Sequence, residues 1–293
     1  MLYDVSIRIV HRYDHPVTAA RHLLRLTPAT LPSEQTCLAS TLDIAPPPFE
    51  RRARIDFFGA HTVEAAFDDT HAHIDFALTA RVRREAKDAA LDLSPAIGEL
   101  RREIDACATL DADAPHHFTP PSQRAPLVDA VTRFARNVAA PGMTAVECVT
   151  ALGRAVHDHI VFDPDATTVD TPLADAFAAR RGVCQDISHV MIAGLRGLGV
   201  PAGYVSGYVR TRPAHGQPHL EGADAMHAWV RAWCGVETGW IDYDPTNAMV
   251  VSDEHIVVAH GRDYADVAPV KGVLRTTGAQ SSDHAVDVRV VAE

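Results

Sequence analysis

The sequence predicts an α+β protein: an N-terminal β-sandwich, then a core of helices packed on an antiparallel sheet. Three observations carry this. Residues 1–85 hold six short strand-like runs separated by turn signals. Residues 127–198 carry apolar residues at helical spacing. Residues 203–259 return to β-branched and aromatic runs. At 293 residues the chain is long enough for two modest domains. They are expected at 1–85 and 126–293, with 86–125 as the link.

In chain order, strands are expected at 5–10, 23–28, 38–44, 54–58, 62–67 and 73–82, with Pro46-Pro47-Pro48 stiffening one loop. Residues 86–125 are rich in Ala, Asp, Glu and Arg and are broken by Pro115, Pro120 and Pro121, so they read as a connection running over the surface. A helix follows over 127–138, with Val128, Val131, Phe134 and Ala135 inward. A second starts at Thr144, where Glu147 three residues on completes a capping box; its stripe is Val146, Val149, Leu152, Val156 and Ile160. A short helix is expected over 171–179. Val183, Ile187, Val190, Met191, Gly194, Leu195 and Leu198 then form one apolar face of a helix beginning near Cys184. Gly199 stops it and Pro201 prevents its restart. Strands are expected at 203–210, 226–233, 239–244, 256–259 and 285–291. The Pro/Gly/His loop at 212–224 has the length and polarity of a segment beside an active site or partner surface.

Composition excludes several classes. The net charge of −11 argues against nucleic acid or anionic membrane as partner. No apolar run is long enough to span a bilayer, and the first residues alternate like a strand rather than a signal peptide. Five scattered cysteines, an odd number, make no disulfide framework and point to a reducing, cytoplasmic compartment. The pairs His71-x-His73, His116-His117 and His157-x-His159 lack zinc-site spacing, and no Asp-rich calcium loop is visible. No cofactor or metal is expected.

The chemistry centres on Cys184. At a helix N-terminus it meets unpaired N–H groups and the positive end of the helix dipole, both of which favour thiolate. Gly182 would allow a sharp turn and leave room for a substrate backbone. Taken alone, this stretch reads equally well as a buried structural cysteine. His227 at a strand start can take the thiol proton, and Asp244 at the end of the next strand can orient the imidazole. Adjacent antiparallel strands set paired residues about 5 Å apart. Asp242 shares a face with Asp244, so spacing alone leaves both open as the orienting acid. His189 lies about 140° round the helix from Cys184 and should not face the thiol. Asp186 should favour the helix dipole and point away from it. Trp229 and Trp233 read as core, and Trp240 is undecided. Cys37, Cys107, Cys148 and Cys234 have no neighbouring base. The Cys184 N–H and the Gln185 N–H are candidate oxyanion donors.

Three motifs flank these residues: Arg-x-Gly-Val-Cys-Gln-Asp-x-x-His at 180–189, Gly-Ala-Asp-Ala-x-His-Ala-Trp-Val at 222–230, and Asp-Pro-Thr-Asn at 244–247. Together they resemble the bacterial transglutaminase-like proteins, whose superfamily shares a papain-like Cys–His–Asp core. Residues 1–85 resemble that group's β-rich N-terminal region, and residues 260–270 resemble its tail signature. The resemblance implies a transglutaminase-like catalytic domain with Cys184 as nucleophile, His227 as general base and acid, and Asp244 as orienting carboxylate. Met226 departs from the pattern, which has a small residue there. The implied reaction is attack on an amide bond of a peptide or other amide-bearing substrate through a thioester. Water would complete it as a peptidase or amidohydrolase, an amine as an acyl transferase. A non-catalytic scaffold is the third reading.

Overall fold

The computed structural model describes residues 1–86, 91–210 and 224–291. Strands come first: β1 (Leu2–Val17), β2 (Ala20–Leu24), β3 (Gln35–Ala45), β4 (Glu50–Ile55), β5 (His61–Phe67) and β6 (His71–Arg84). Helices α1 (Leu100–Ala106), α2 (Asp129–Val138) and α3 (Ala145–His159) follow, then β7 (Val161–Phe162), α4 (Leu173–Ala179), β8 (Arg181–Gly182) and α5 (Cys184–Gly197). The remainder is β9 (Ala202–Val209), β10 (Ala225–Trp233), β11 (Trp240–Asp244), β12 (Met249–Val250), β13 (His255–Gly261), α6 (Tyr264–Val267), β14 (Val270–Leu274) and β15 (Gln280–Val290). Of the loop expected at 212–224, all but the last residue lies outside the described residues.

Strand alternation builds the sandwich. In β1, Tyr3, Val5, Ile7 and Ile9 are buried while their neighbours face outward. Two antiparallel sheets result, ordered β15-β1-β6-β3 and β14-β2-β5-β4. The final two strands therefore return to the N-terminal sheets, although the expected division assigned them to 126–293. Period-two patterning identifies a strand but does not name its partner.

The core is a five-stranded antiparallel sheet, β12-β11-β10-β9-β13, with α2, α3 and α5 packed together and α5 against β10. The capping box of Thr144 and Glu147 forms as expected. Gly199, with φ +84°, follows the end of α5. However, α5 is buried all round rather than along one apolar face. Most of its buried polar side chains are paired, the Ser188 hydroxyl being the exception. The Arg196 guanidinium donates to the carbonyls of Phe118, Ala202 and Arg262 and to the Ser122 hydroxyl. Phe118 and Ser122 belong to the 86–125 stretch, which was expected to run over the surface. Leu100, Ile104, Phe118 and Ala125 are buried, so a few residues anchor this stretch in the core while most of it lies at the surface as expected.

The sandwich interior holds one ionisable liability. His22 is 2% exposed, and neither ring nitrogen has a hydrogen-bond partner. Burial, and secondarily the nearby His11 and His71, push its pKa down to about 4. An unfolded histidine titrates near 6.5, so between pH 6.5 and about 4 the unfolded chain binds the extra proton. Stability is therefore expected to fall as pH drops through that window, by up to about 3 kcal/mol from this residue. Urea titrations at pH 7 and pH 4 should show the wild type losing about that much more than His22→Leu. Equal losses in both proteins would remove His22 as the cause.

Candidate active site

Cys184 is the first residue of α5, half-buried, with Val183 in extended conformation before it. The helix start is fastened by Asp186. Its Oδ2 accepts the Val183 N–H at 2.9 Å and the Thr167 hydroxyl at 2.6 Å. Asp186 thus spends its charge on the cap, as its place in the first turn suggested. Gly182 also packs against this cap. It pairs with Phe162 in a short parallel ladder, and a Cβ on it would sit 2.7 Å from Asp186 Oδ2. By helix geometry the N–H groups of Cys184 and Gln185 have no acceptor within the helix.

His227 and Asp244 come from adjacent strands. Val230 pairs with Tyr243, and continuing that register sets His227 diagonally across from Asp244. His227 Nε2 donates to Asp244 Oδ2 at 2.7 Å. The competing acid, Asp242, instead accepts the Trp229 indole N–H at 3.4 Å. Burial works against charge on His227. Hydrogen bonds to Asp244 and to Cys184, together with their negative charge, outweigh it and raise the imidazole pKa to about 10. Since Nε2 is committed to Asp244, Nδ1 is the ring nitrogen left free to serve Cys184.

Asp244 is fully buried, and five donors converge on it. His227, His255 and the Asn247 side-chain amide donate to Oδ2 at 2.7, 3.1 and 2.7 Å. The backbone N–H groups of Thr246 and Asn247 donate to Oδ1 at 2.9 and 3.2 Å. Desolvation would raise its pKa, but the hydrogen bonds from His227 and His255, helped by the His227 charge and Asn247, hold it well below the usual carboxylate range. Hydrogen bonds to charged groups contribute about 1.5–3 kcal/mol each. Several such bonds offset the several kcal/mol that burying a carboxylate costs.

His255 was not singled out in the sequence. The available signal was its position two residues before Val257, on the face that Val257 shares with Trp229 in one small cluster. His227, Asp244 and His255 also bring their ligand atoms within 4.8 Å of one another, a spacing that could hold a metal ion. A metal would have to displace the donors already seated on Oδ2.

The remaining expected residues sort cleanly. His189 accepts the Tyr264 N–H and packs on Tyr204, and burial lowers its pKa to about 4. Trp229 and Trp233 are core. Trp240 lies 4.2 Å from the Arg231 guanidinium carbon and donates to the Asp113 carbonyl. Burial pushes the thiols of Cys148 and Cys234 up to about 11 and about 12, and that of Cys37 upward as well.

Comparison with known proteins adds ancestry to geometry. Residues 132–245 match the transglutaminase-like superfamily, and residues 3–83 match the bacterial transglutaminase-like N-terminal region. An uncharacterised protein of Mycobacterium tuberculosis is 33% identical over 98% of this chain and 91% of its own length. One from Mycobacterium leprae is 33% identical over 98% and 99%. A crystal structure described as "a putative cysteine protease" from Cytophaga hutchinsonii superposes over all of this chain and 91% of its own. Its TM-score is 0.76 at 21% identity, a likeness of fold.

The packing of Gly182 on Asp186 yields a double-mutant test. Gly182→Ala should destabilise by about 1–3 kcal/mol through the clash. Asp186→Ala should cost about 1 kcal/mol through the lost cap. The double variant should lose less than the sum, because Oδ2 and Cγ, two of the three Asp186 atoms the new methyl would meet, are gone, while Cβ at 2.8 Å still resists it. Strict additivity in urea unfolding would show that the methyl does not meet Asp186.

Proposed function

The chain belongs to the transglutaminase-like superfamily, and from that premise we propose that it is a thiol-dependent amidohydrolase or peptidase working through a Cys184-linked acyl-enzyme. The observation that supports this is the buried His227–Asp244 hydrogen bond, with Cys184 near enough for its charge to act on the same ring. The description of the Cytophaga protein is consistent with the same chemistry.

In this reading His227 Nδ1 takes the Cys184 proton, and the thiolate attacks the substrate carbonyl carbon. The Cys184 N–H at the helix start faces the developing oxyanion. The C–N bond then breaks, His227 returns its proton to the departing amine, and a thioester remains. Water, deprotonated by His227, attacks the thioester, releasing the acid and restoring the thiol. Asp244 stays ionised throughout and fixes which ring nitrogen faces the sulfur. An amine in place of water would give acyl transfer with the same groups. The substrate in this reading is a peptide or other amide-bearing molecule, with no cofactor required. The setting is a reducing cytoplasm, which the five free cysteines support. Among the described residues, no helix is long and apolar enough to cross a membrane.

Iodoacetamide should label Cys184 in preference to Cys37, Cys107, Cys148 and Cys234, and mass spectrometry of the digested protein should locate the adduct. Uniform or absent labelling of Cys184 would favour a scaffold without chemistry. A glutamine-bearing peptide library, incubated with and without a primary amine, separates the reaction outcomes. Chain cleavage, or conversion of glutamine to glutamate with the amine present, falling at least about 10³-fold in Cys184→Ala, supports hydrolysis. Amine adducts as the main product would overturn it in favour of transfer.

A further inference from the structure

His255 reaches Asp244 from an unexpected place. It begins β13, an edge strand separated from β11 by β10 and β9. At about 4.8 Å per strand, a flat sheet would hold the β11 and β13 backbones about 14 Å apart. Yet His255 Nε2 lies 3.1 Å from Asp244 Oδ2, so the sheet curls and the two side chains meet over its concave face. The space beneath them is filled by Trp229. Its indole crosses β9 at Gly207, where a Cβ would come within 2.4 Å of the ring. The indole then meets the His255 ring edge-on at 5.2 Å and the His227 ring at 6.3 Å. The other nitrogen of His255, Nδ1, accepts the Ser252 N–H at 3.4 Å. That leaves the proton on Nε2, aimed at the carboxylate. The ring is 2% exposed.

We infer that His255 is a positioning residue, whose Nε2–H holds the Asp244 carboxylate in the orientation that accepts from His227. The inference rests on the catalytic reading of Cys184. Asn247 and the turn N–H groups grip Asp244 from its own chain segment, whereas His255 alone of its donors comes from the far edge of the sheet. Loss of that donor frees the carboxylate to swing and to take up a proton more readily, since the His255 hydrogen bond is one of the influences that hold its pKa down. A protonated Asp244 no longer supports the imidazolium beside the thiolate. The other ionisable groups around this cluster are Tyr243 on β11, which acts on Asp244 and is itself influenced by Arg154 and Asp158, Asp242 beside Trp229, and Asp186, Tyr204 and Tyr264 around Cys184. They are unchanged in the variants below.

The test compares His255→Gln with His255→Met, side chains of similar length that differ in the N–H donor. The readout is the rate of Cys184 alkylation by iodoacetamide as a function of pH, followed by mass spectrometry, with thermal unfolding in parallel. His255→Met should alkylate about tenfold more slowly at neutral pH, with its acid limb moved upward. His255→Gln should stay within about threefold of wild type, its limb unmoved. A role in packing alone would lower the melting temperature of both without separating their pH profiles. The inference is overturned if folded His255→Met matches wild type in rate and limb, or if folded His255→Gln is as impaired as His255→Met. Should His255→Met not fold, His255→Phe keeps a ring without a donor and takes its place. Failure of wild-type Cys184 to label selectively would instead sink the catalytic reading itself, before any variant is compared.

Discussion

A carboxylate with no access to water governs this site. Asp244 is buried completely, and a bare carboxylate there would be too costly to keep ionised. Its charge is tolerated because both oxygens are occupied by donors, two of them backbone N–H groups of its own turn. The charge in turn makes an imidazolium possible at His227. The α5 N-terminus adds the helix dipole on the sulfur side, fastened by Asp186 rather than by a conventional hydroxyl cap.

Much of this was legible in the residues. Local signals fared well where one element decides the outcome: the Thr144 capping box, the Gly199 stop, four of the six sandwich strands (those expected at 23–28 and 54–58 lie earlier, at 20–24 and 50–55), and the strands carrying His227 and Asp244. What stayed hidden depends on contacts distant in sequence. Periodicity gives α5 one apolar face, but it cannot reveal that His189 and Arg196 are also covered, because their partners lie 6 to 78 residues away or come from other elements. The 86–125 stretch is proline-broken and charged, so it looks like a surface connection. Phe118 and Leu100 are nonetheless core residues, and the Phe118 carbonyl satisfies Arg196. Spacing could not choose between Asp242 and Asp244. The choice is made by the sheet, whose twist hands the Trp229 indole to one and the His227 imidazole to the other.

His255 shows the limit most clearly. Only the face it shares with Val257 marks it in the sequence, and on a flat sheet it would be out of reach. Its contact exists because Gly207 leaves a gap, Trp229 fills it, and the curled sheet brings its two sides together. Three residues that look like ordinary core and loop positions combine to create one polar contact.

The sandwich now has a physical part in the site. Asp224, three residues before His227, is gripped by the last strand: its N–H donates to the Val286 carbonyl at 3.1 Å, and its Oδ2 accepts the Val288 N–H at 2.6 Å. That strand is itself zipped to β1 from Tyr3 to Tyr13. On the other side, the Gln35 amide brackets Val257, two residues after His255. Its Nε2 donates to the Val257 carbonyl at 2.7 Å, and its Oε1 accepts the Val257 N–H at 2.9 Å. Both histidines that meet on Asp244 are therefore held within three residues by the N-terminal layer. A chain cut between sandwich and core would lose those two clamps together. This explains why the final strands return to the first sheets instead of ending beside the helices: closing the sandwich also fixes the strands on which the buried carboxylate depends.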